Sequence, residues 1–307
     1  LINAGEIDNK GIEIALNTRP IQTKDFSWDL NFNFSKNSNK VVQLVDNMDM
    51  FKLEKASWLD MQLAAKVGHN FCSIIGPDFK RNDAGQILID PKTGLPEYDK
   101  SNHVLGNASW DWTGGLTTSF TYKNVSLSAI FDVKVGADLY SMSARAAYES
   151  GKTTQTLEGR EAWYLSEEQR QEAGYPKGSA NWKATGGFVA PGVIDNGDGT
   201  YKANDIYINP EDYWMSVCRN APSMFIYDNS YIKCRELTLS YNVPTSWLKN
   251  IVKSLSISFV ARNPFIVWKN IPNIDPDSNY NNTTGMGLEY GSLPSRKSYG
   301  FNVNVKF

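Results

Sequence analysis

Tyr299-Gly-Phe-Asn-Val-Asn-Val-Lys-Phe307 is the stretch that decides how the rest of the chain is read. Tyr299, Phe301, Val303, Val305 and Phe307 fall on one parity; Gly300, Asn302, Asn304 and Lys306 fall on the other. Successive side chains of a strand point to opposite faces, so one face is wholly apolar and the other wholly polar. Such a strand needs a second sheet or lipid over its bare face. The remaining sequence tells which.

The same alternation recurs upstream. Ile12, Ile14 and Leu16 alternate with polar or small residues over 11–18, and Phe26, Trp28, Leu30, Phe32 and Phe34 with Ser27, Asp29, Asn31, Asn33 and Ser35. Residues 112–122 set Trp112, Leu116, Phe120 and Tyr122 against Gly115, Thr117, Ser119 and Thr121. Lys123-Asn124 then reads as a tight hairpin link, followed by Val125, Leu127, Ala129, Phe131, Val133 and Val135 on one parity. Strands over 231–241, 255–265 and 297–307 bring the expected number to about seven.

The polar face and the connections choose the architecture. Lys and Glu should dominate the wet face of a soluble sandwich, whereas here it carries mostly Ser, Thr, Asn and Gly, which suits a hydrated lumen. On the apolar face Phe26, Trp28, Tyr122, Tyr241, Trp268, Tyr299 and Phe307 sit near strand ends, as in the girdles of a membrane barrel. Links after the first, third and fifth strands are short (19–25, 123–124, about 242–254). Those after the second, fourth and sixth are long (about 37–110, 137–229 and 269–296). Strict alternation of turns and long loops is the arrangement of outer-membrane barrels, with turns periplasmic and loops extracellular. An isolated seven-stranded sheet leaves edge backbone unpaired in lipid, so further strands are expected on its N-terminal side. The start at Leu1-Ile2-Asn3 likewise reads as part of a longer product. The fold class expected is all-β: residues 1–307 as the C-terminal portion of one large transmembrane β-barrel, with short helices in its long extracellular loops.

Composition is compatible with this. Charged residues make up 21% of 307 and the formal net charge is −2, so neither nucleic acid nor an anionic membrane surface is indicated as a partner. No apolar run reaches the eighteen or so residues of a spanning helix. Within the loops, the Ala-rich stretch 137–150 reads as a helix, Ser166-Glu-Glu-Gln169 as a capping-box start of another that ends before Gly174, and 81–89 as a small hairpin.

Several segments resemble the C-terminal part of the SusC/RagA-type TonB-dependent outer-membrane transporters. Asn3-Ala-Gly5-Glu6-Ile-Asp-Asn9-Lys10-Gly11-Ile-Glu13 and Leu105-Gly106-Asn-Ala-Ser-Trp-Asp-Trp112-Thr-Gly-Gly115-Leu116 are similar to starts of late barrel strands, with Trp110 where the family usually has Pro. Ser230-Tyr231-Ile-Lys233-Cys-Arg235-Glu236-Leu237-Thr-Leu239-Ser-Tyr241-Asn-Val-Pro244 is the best match, with Cys234 at a usually aliphatic position. Arg262-Asn263-Pro264-Phe265, Ile274-Asp275-Pro276 and Pro294-Ser-Arg296 complete the set, in order from residue 3 to 307. The resemblance implies the last third of a barrel of about 22 strands, with a plug and a TonB-binding segment upstream. It implies a SusD-like surface lipoprotein and the TonB complex as partners, a glycan or peptide as substrate, and outer-membrane lipid around the wall. It also makes Phe307 a recognition signal for the barrel-assembly machinery.

No catalytic constellation, cofactor motif or metal site is expected. His69 and His103 lack ligand spacing and read as loop histidines. Cys72, Cys218 and Cys234 read as unbridged thiols, a Cys218–Cys234 bridge being the alternative. Asp195-Asn-Gly-Asp198-Gly199 fails the calcium-loop register and reads as a glycine-rich turn. Trp58, Trp163, Tyr164, Trp182, Tyr213 and Trp214 are the candidate ligand-binding residues, because an indole face stacks on the C–H face of a sugar; the plain alternative is that they pack the loops. Arg160-Glu161 and Arg219 either meet acidic ligand groups or form surface ion pairs. An energised importer thus competes with a passive porin or adhesin barrel, and with a secreted carbohydrate-binding or hydrolytic β protein.

Overall fold

The computed structural model describes residues 5–45, 48–55, 61–248, 252–279 and 285–307. The alternating segments form one seven-stranded antiparallel sheet whose spatial order is the chain order. Its strands are β1 (Gly5–Gln22), β2 (Phe26–Leu44), β3 (Trp112–Tyr122), β4 (Val125–Val135), β5 (Tyr231–Asn242), β6 (Ser254–Lys269) and β7 (Ser298–Lys306). The links between β1 and β2, β3 and β4, and β5 and β6 are short and lie at one end; the other three are long and lie at the opposite end. Lys123, with φ of +52°, turns the two-residue β3–β4 hairpin. Asn124 Nδ2 donates to the Asn242 carbonyl across 2.8 Å, tying neighbouring turns together.

Register keeps each face uniform. One row crossing the whole sheet reads Ile21, Trp28, Phe120, Leu127, Leu239, Phe259 and Phe301. The row beside it on the opposite face reads Gln22, Ser27, Thr121, Ser126, Ser240, Ser258 and Asn302. Cross-strand aromatics interlock on the apolar face, with Trp28 on Phe120 at 5.8 Å and Phe259 on Phe301 at 5.5 Å between centroids. Yet Ile12 is 63% and Phe301 80% exposed, and the apolar face is bare along its length. Soluble proteins rarely leave so continuous an apolar surface open. Eleven residues such as those of β3, rising about 3.3 Å each and tilted by about 40°, cross about 28 Å, which matches the hydrocarbon thickness of a bilayer. The sheet is a piece of barrel wall, and among the described residues no second sheet covers its apolar face.

The hydrophobic core lies in the long loops. The first (45–111) carries a four-stranded antiparallel sheet over Met50–Lys55, Gln62–Lys66, Ser73–Phe79 and Tyr98–Asn107. The second (136–230) carries helices α1 (Met142–Glu149), α2 (Arg160–Glu172) and α3 (Pro210–Asn220). The third (270–297) contributes Leu288–Glu289, which lies parallel to Tyr140 and Ser141 of the second. Leu63, Ile74 and Ala108 of the first loop, Tyr140 and Phe225 of the second and Leu288 of the third pack into a single buried cluster. Where Gly287 of the third loop meets the first, an added Cβ would stand 2.3 Å from that of Ala108, so φ of +83° and lack of a side chain are both required there.

Three local expectations need correction. β1 and β2 extend well past 11–18 and 26–35; beyond Lys36, β2 pairs only with β1, and Val41 and Leu44 turn under to pack on Ala65. Residues Asp138–Ser141 are strand, paired to Ile226–Asp228, and α1 starts only after Ser141, whose hydroxyl caps the Ala144 N–H. Helix α2 starts six residues before Ser166, immediately after Gly159 at φ of +77°. Ser166 is buried inside it and accepts a hydrogen bond from the Thr185 N–H, so the capping-box pattern there is incidental. The 81–89 hairpin forms around the Asn82 side chain, and α2 ends before Gly174 as expected.

The two faces of β4 give a direct test. Leu127→Arg, on the bare face, is expected to destabilise the protein refolded in lipid vesicles by about 2–4 kcal/mol, and Ser128→Arg, one residue along, by less than half of that. Urea titration of both variants reads the difference; equal losses would remove the lipid-facing assignment.

Candidate functional site

Two features of the loop end are built with more care than wall or packing alone requires: a buried ionic cluster where β5 meets the loops, and a cleft among the three helices.

The cluster starts from a fault in β5. Ile232 and Cys234 share the apolar face with Val133 and Phe131 opposite them, yet Leu237, Leu239 and Tyr241 share that same face. A register shift between Cys234 and Glu236 absorbs the extra residue, so Arg235 is a bulge that reverses parity. Tyr231 and Lys233 are thereby turned to the polar face. Lys233, 1% exposed, reaches Asp277 at 2.6 Å and Asp275 at 3.2 Å. Arg235 spans Asp132 of β4 and Asp277, and the Tyr231 hydroxyl donates to Asp277 across 2.8 Å. Burial pushes the Asp277 carboxyl up, but hydrogen bonds from Arg235, Lys233 and Tyr231 together outweigh it and hold it well below the usual carboxylate range. Trp110 meets Tyr231 edge-on at 5.9 Å, and the Lys134 ammonium lies over the Trp110 ring at 5.6 Å. Asp275 and Asp277 belong to the third loop, so the cluster fastens that loop to the wall. A second fastening lies further on. Buried Glu289 accepts from the hydroxyls of Ser141 and Ser143 and from the Ser143 N–H, and so sits at the N-terminus of α1, where a carboxylate suits the helix dipole.

The cleft, of about 690 Å³, lies among α1, α2 and α3. Arg160, Trp163, Tyr164 and Glu167 line it from a single stripe of α2, at the i, i+3, i+4, i+7 spacing that a helix presents on one side. Trp163 fits because Gly187 opposite has no Cβ; one added there would stand 3.0 Å from the indole. Asn209, Glu211, Asp212 and Trp214 line it from the N-terminal turn of α3, with Asn209 Oδ1 capping the Glu211 N–H at 3.0 Å. Tyr148 and Trp214 add two rings whose centroids lie 4.8 Å apart, tilted by 53° to one another.

The structure separates the six loop aromatics chosen from sequence. Trp58 lies outside the described residues. Trp163, Tyr164 and Trp214 line the cleft. Tyr213, 3% exposed, is packed on Phe188 at 4.5 Å and faces no solvent; most of Trp214 is buried in the same cluster, and its indole N–H has no partner in the protein. Trp182 packs on Tyr175 at 5.6 Å, away from the others. Arg160 directs its donors at the carbonyls of Thr156 and Gly151, which spends them on loop structure. Phe307 lies at the turn end of the sheet, 76% exposed, its carbonyl accepting from Lys253 Nζ. Reasoning from sequence missed Tyr148 and the acidic turn of α3. The spacing of Arg160, Trp163, Tyr164 and Glu167 was the available signal for α2's share of the site.

The remaining side chains with chemical potential are spoken for. All three cysteines are free thiols. Ser101 Oγ at 3.0 Å and the Asp99 carboxylate at 2.9 Å both meet the same Nε2 of His103, whereas a serine relay needs one partner on each ring nitrogen. Asp195 and Asp198 accept hydrogen bonds from the backbone of the glycine turn they belong to. Among the described residues no group of His, Cys, Asp and Glu could hold a metal ion.

The ionic cluster predicts an acid-sensitive loop. The folded Asp277 carboxyl is depressed, so its contribution is complete above the unfolded value of about 4 and is lost as pH falls through the folded value. Asp277→Asn is expected to cost about 3 kcal/mol at neutral pH and to remove this component of the acid limb. Hydrogen exchange of the third loop, followed from about pH 2 to 7 and corrected for the intrinsic rate, measures both effects, and an unchanged pH profile would contradict the assignment.

No family model matches the chain. Its sequence is 25% identical over 332 residues to TonB-dependent receptor P3 of Formosa agariphila, covering 99% of this chain and 29% of that protein. It is also 25% identical over 319 residues to TonB-dependent receptor SusC of Bacteroides thetaiotaomicron, covering 99% of this chain and 27% of SusC. The chain thus spans under a third of the length of these curated relatives. Among solved structures, a chain of the RagAB peptide transporter superposes with a TM-score of 0.62 at 17% identity, over 99% of this chain and 30% of that one. That superposition shows a common fold over nearly the whole of this chain. Along its whole length the chain is a homologue of the TonB-dependent receptors, SusC among them.

Proposed function

We propose that residues 1–307 form part of the wall and the outer vestibule of an energised importer in the outer membrane of a Gram-negative bacterium. One observation carries the reading: seven consecutive strands with a bare apolar face, every turn at one end and every long loop at the other, folded together. The similarity to TonB-dependent receptors over 99% of the chain supplies the energised step. In this reading the TonB complex drives gating through parts of the protein outside this segment, and substrate moves without covalent chemistry. A SusD-like surface lipoprotein works over the loops, and the cargo is a glycan or oligopeptide. The peptide half of that range is the cargo for which the RagAB peptide transporter, whose fold this chain shares, is named.

A passive porin would share the wall but not the energy requirement. Uptake of labelled oligosaccharides and oligopeptides by cells expressing the full-length product distinguishes the two. The importer reading expects uptake to fall at least tenfold when a protonophore collapses the membrane potential. Uptake that survives the protonophore unchanged would leave a porin instead.

A further inference from the structure

We infer that the outward face of β1 and β2, just above the apolar band, is a docking site for a phosphorylated glycolipid of the outer leaflet. The inference rests on the importer reading only for the membrane and for the side on which the loops lie.

Charge first appears on the bare face at one corner of the sheet. Among the described residues, the paired rows of that face from Phe26 up to Phe34 hold no charged side chain. The next row sets Lys36 between Ile12 and Trp112. Above it Lys10 stands opposite Ser38, and Asp8 opposite Lys40. Lys10 is therefore the diagonal neighbour of both Lys36 and Lys40, at about 7–8 Å on one face.

Height places these amines at the headgroups. Lys36 lies ten residues beyond Phe26 on β2. At about 3.3 Å per residue and a tilt of about 40° that is a rise of about 25 Å, the height of a barrel's apolar band. Lys36 thus stands at the upper boundary of the hydrocarbon, beside the Trp112 ring, which packs on Phe34 at 5.6 Å. Lys40, four residues further along β2, stands about 10 Å higher, within the polar layer.

The opposite parity is closed off. Asn39 Oδ1 accepts from the Phe71 N–H across 2.7 Å and Val41 is fully buried, so the first loop covers the inward side of this extension. Lys10, Lys36, Ser38 and Lys40 are all exposed on the outward side.

Charge selects the occupant. The three ammonium groups face one carboxylate, that of Asp8, 4.0 Å from Lys10 Nζ. Among the described residues Lys36 and Lys40 have no ion-pair partner. A positive surplus at headgroup level attracts anionic lipid, and an ammonium group is a ready point-charge partner for phosphate. Amines at two heights, with the Ser38 hydroxyl between them, match a sugar headgroup carrying more than one phosphate. A single phosphodiester held at one level would leave part of that surplus unmet.

The test uses the full-length protein purified in detergent, mixed with diphosphorylated lipid A and read by native mass spectrometry. The parent protein is expected to retain lipid A. The variant carrying Lys10→Gln, Lys36→Gln and Lys40→Gln is expected to bind it at least tenfold more weakly. The variant with Arg at the same three positions keeps the charge and is expected to keep the lipid. Lipid A stripped of its phosphates, offered to the parent protein, decides the matter should the Gln variant fail to assemble; it is expected to bind at least tenfold more weakly. Equal binding by the Gln variant, loss in the Arg variant, or equal binding of the stripped lipid would each overturn the inference. Phosphatidylglycerol displacing lipid A at equal concentration would overturn it too, leaving a general anionic surface. Protonophore-sensitive uptake without lipid A binding sinks the lipid site alone, whereas lipid A binding with protonophore-insensitive uptake sinks the energised importer alone.

Discussion

Everything in this molecule depends on sheet parity being kept across seven strands. Each cross-strand pair places like beside like, so a single slip of register would carry a row such as Trp28, Phe120, Leu127, Leu239 and Phe259 into the lumen and the serines opposite into lipid. Hydrogen bonds fix neighbours in the plane, and interlocked rings on one side and paired hydroxyls on the other fix the rows. Thr121 with Ser126 at 3.0 Å and Ser240 with Ser258 at 2.8 Å show the polar side bonding across strands as the apolar side stacks across them. Because the wall is bare on one face and open on the other, it has no core of its own, and the stabilising burial is displaced into the loops.

That displacement explains why the loops are folded. Long connections without secondary structure would be costly to order. Here they carry sheets and helices that bury Leu63, Ile74, Tyr140, Phe225 and Leu288 together. The ionic cluster at Lys233 and the capping carboxylate of Glu289 then attach the third loop at two points, one to the wall and one to a helix of the second loop. Both attachments use a charge placed on a preorganised acceptor or donor set, the arrangement in which a buried charge stabilises.

The wall was legible in the sequence because period-two alternation runs nine or more residues without interruption in β2 and β7, and is broken in β4 at Ile130 alone. The short and long links gave sidedness for the same reason. What escaped is where local pattern and tertiary packing part company. The parity switch in β5 was written as Ile232 and Cys234 on even positions and Leu237 and Leu239 on odd ones, but a bulge is needed to make sense of it. The strand at Asp138–Ser141 hides in an Ala-rich stretch, because its pairing partner at Ile226–Asp228 lies some ninety residues away. The helical cleft was half visible: its aromatics were chosen for chemistry, and only the fold shows that Trp163, Tyr164 and Trp214 converge while Trp182 and Tyr213 do not.

The shared core of the three long loops bears on how such a protein can change over generations. Surface loops of most barrels drift independently, each free to lengthen or shorten. Here Gly287 of one loop leaves no room for a methyl beside Ala108 of another, and Leu288 shares its packing with Tyr140 of a third. A substitution at that junction must be matched in two distant segments before it is tolerated. Inheritance is therefore coupled at the junction and free on the exposed stripe of α2, so descendants of this chain should diversify at positions such as Tyr164 while the loops beneath travel as one unit.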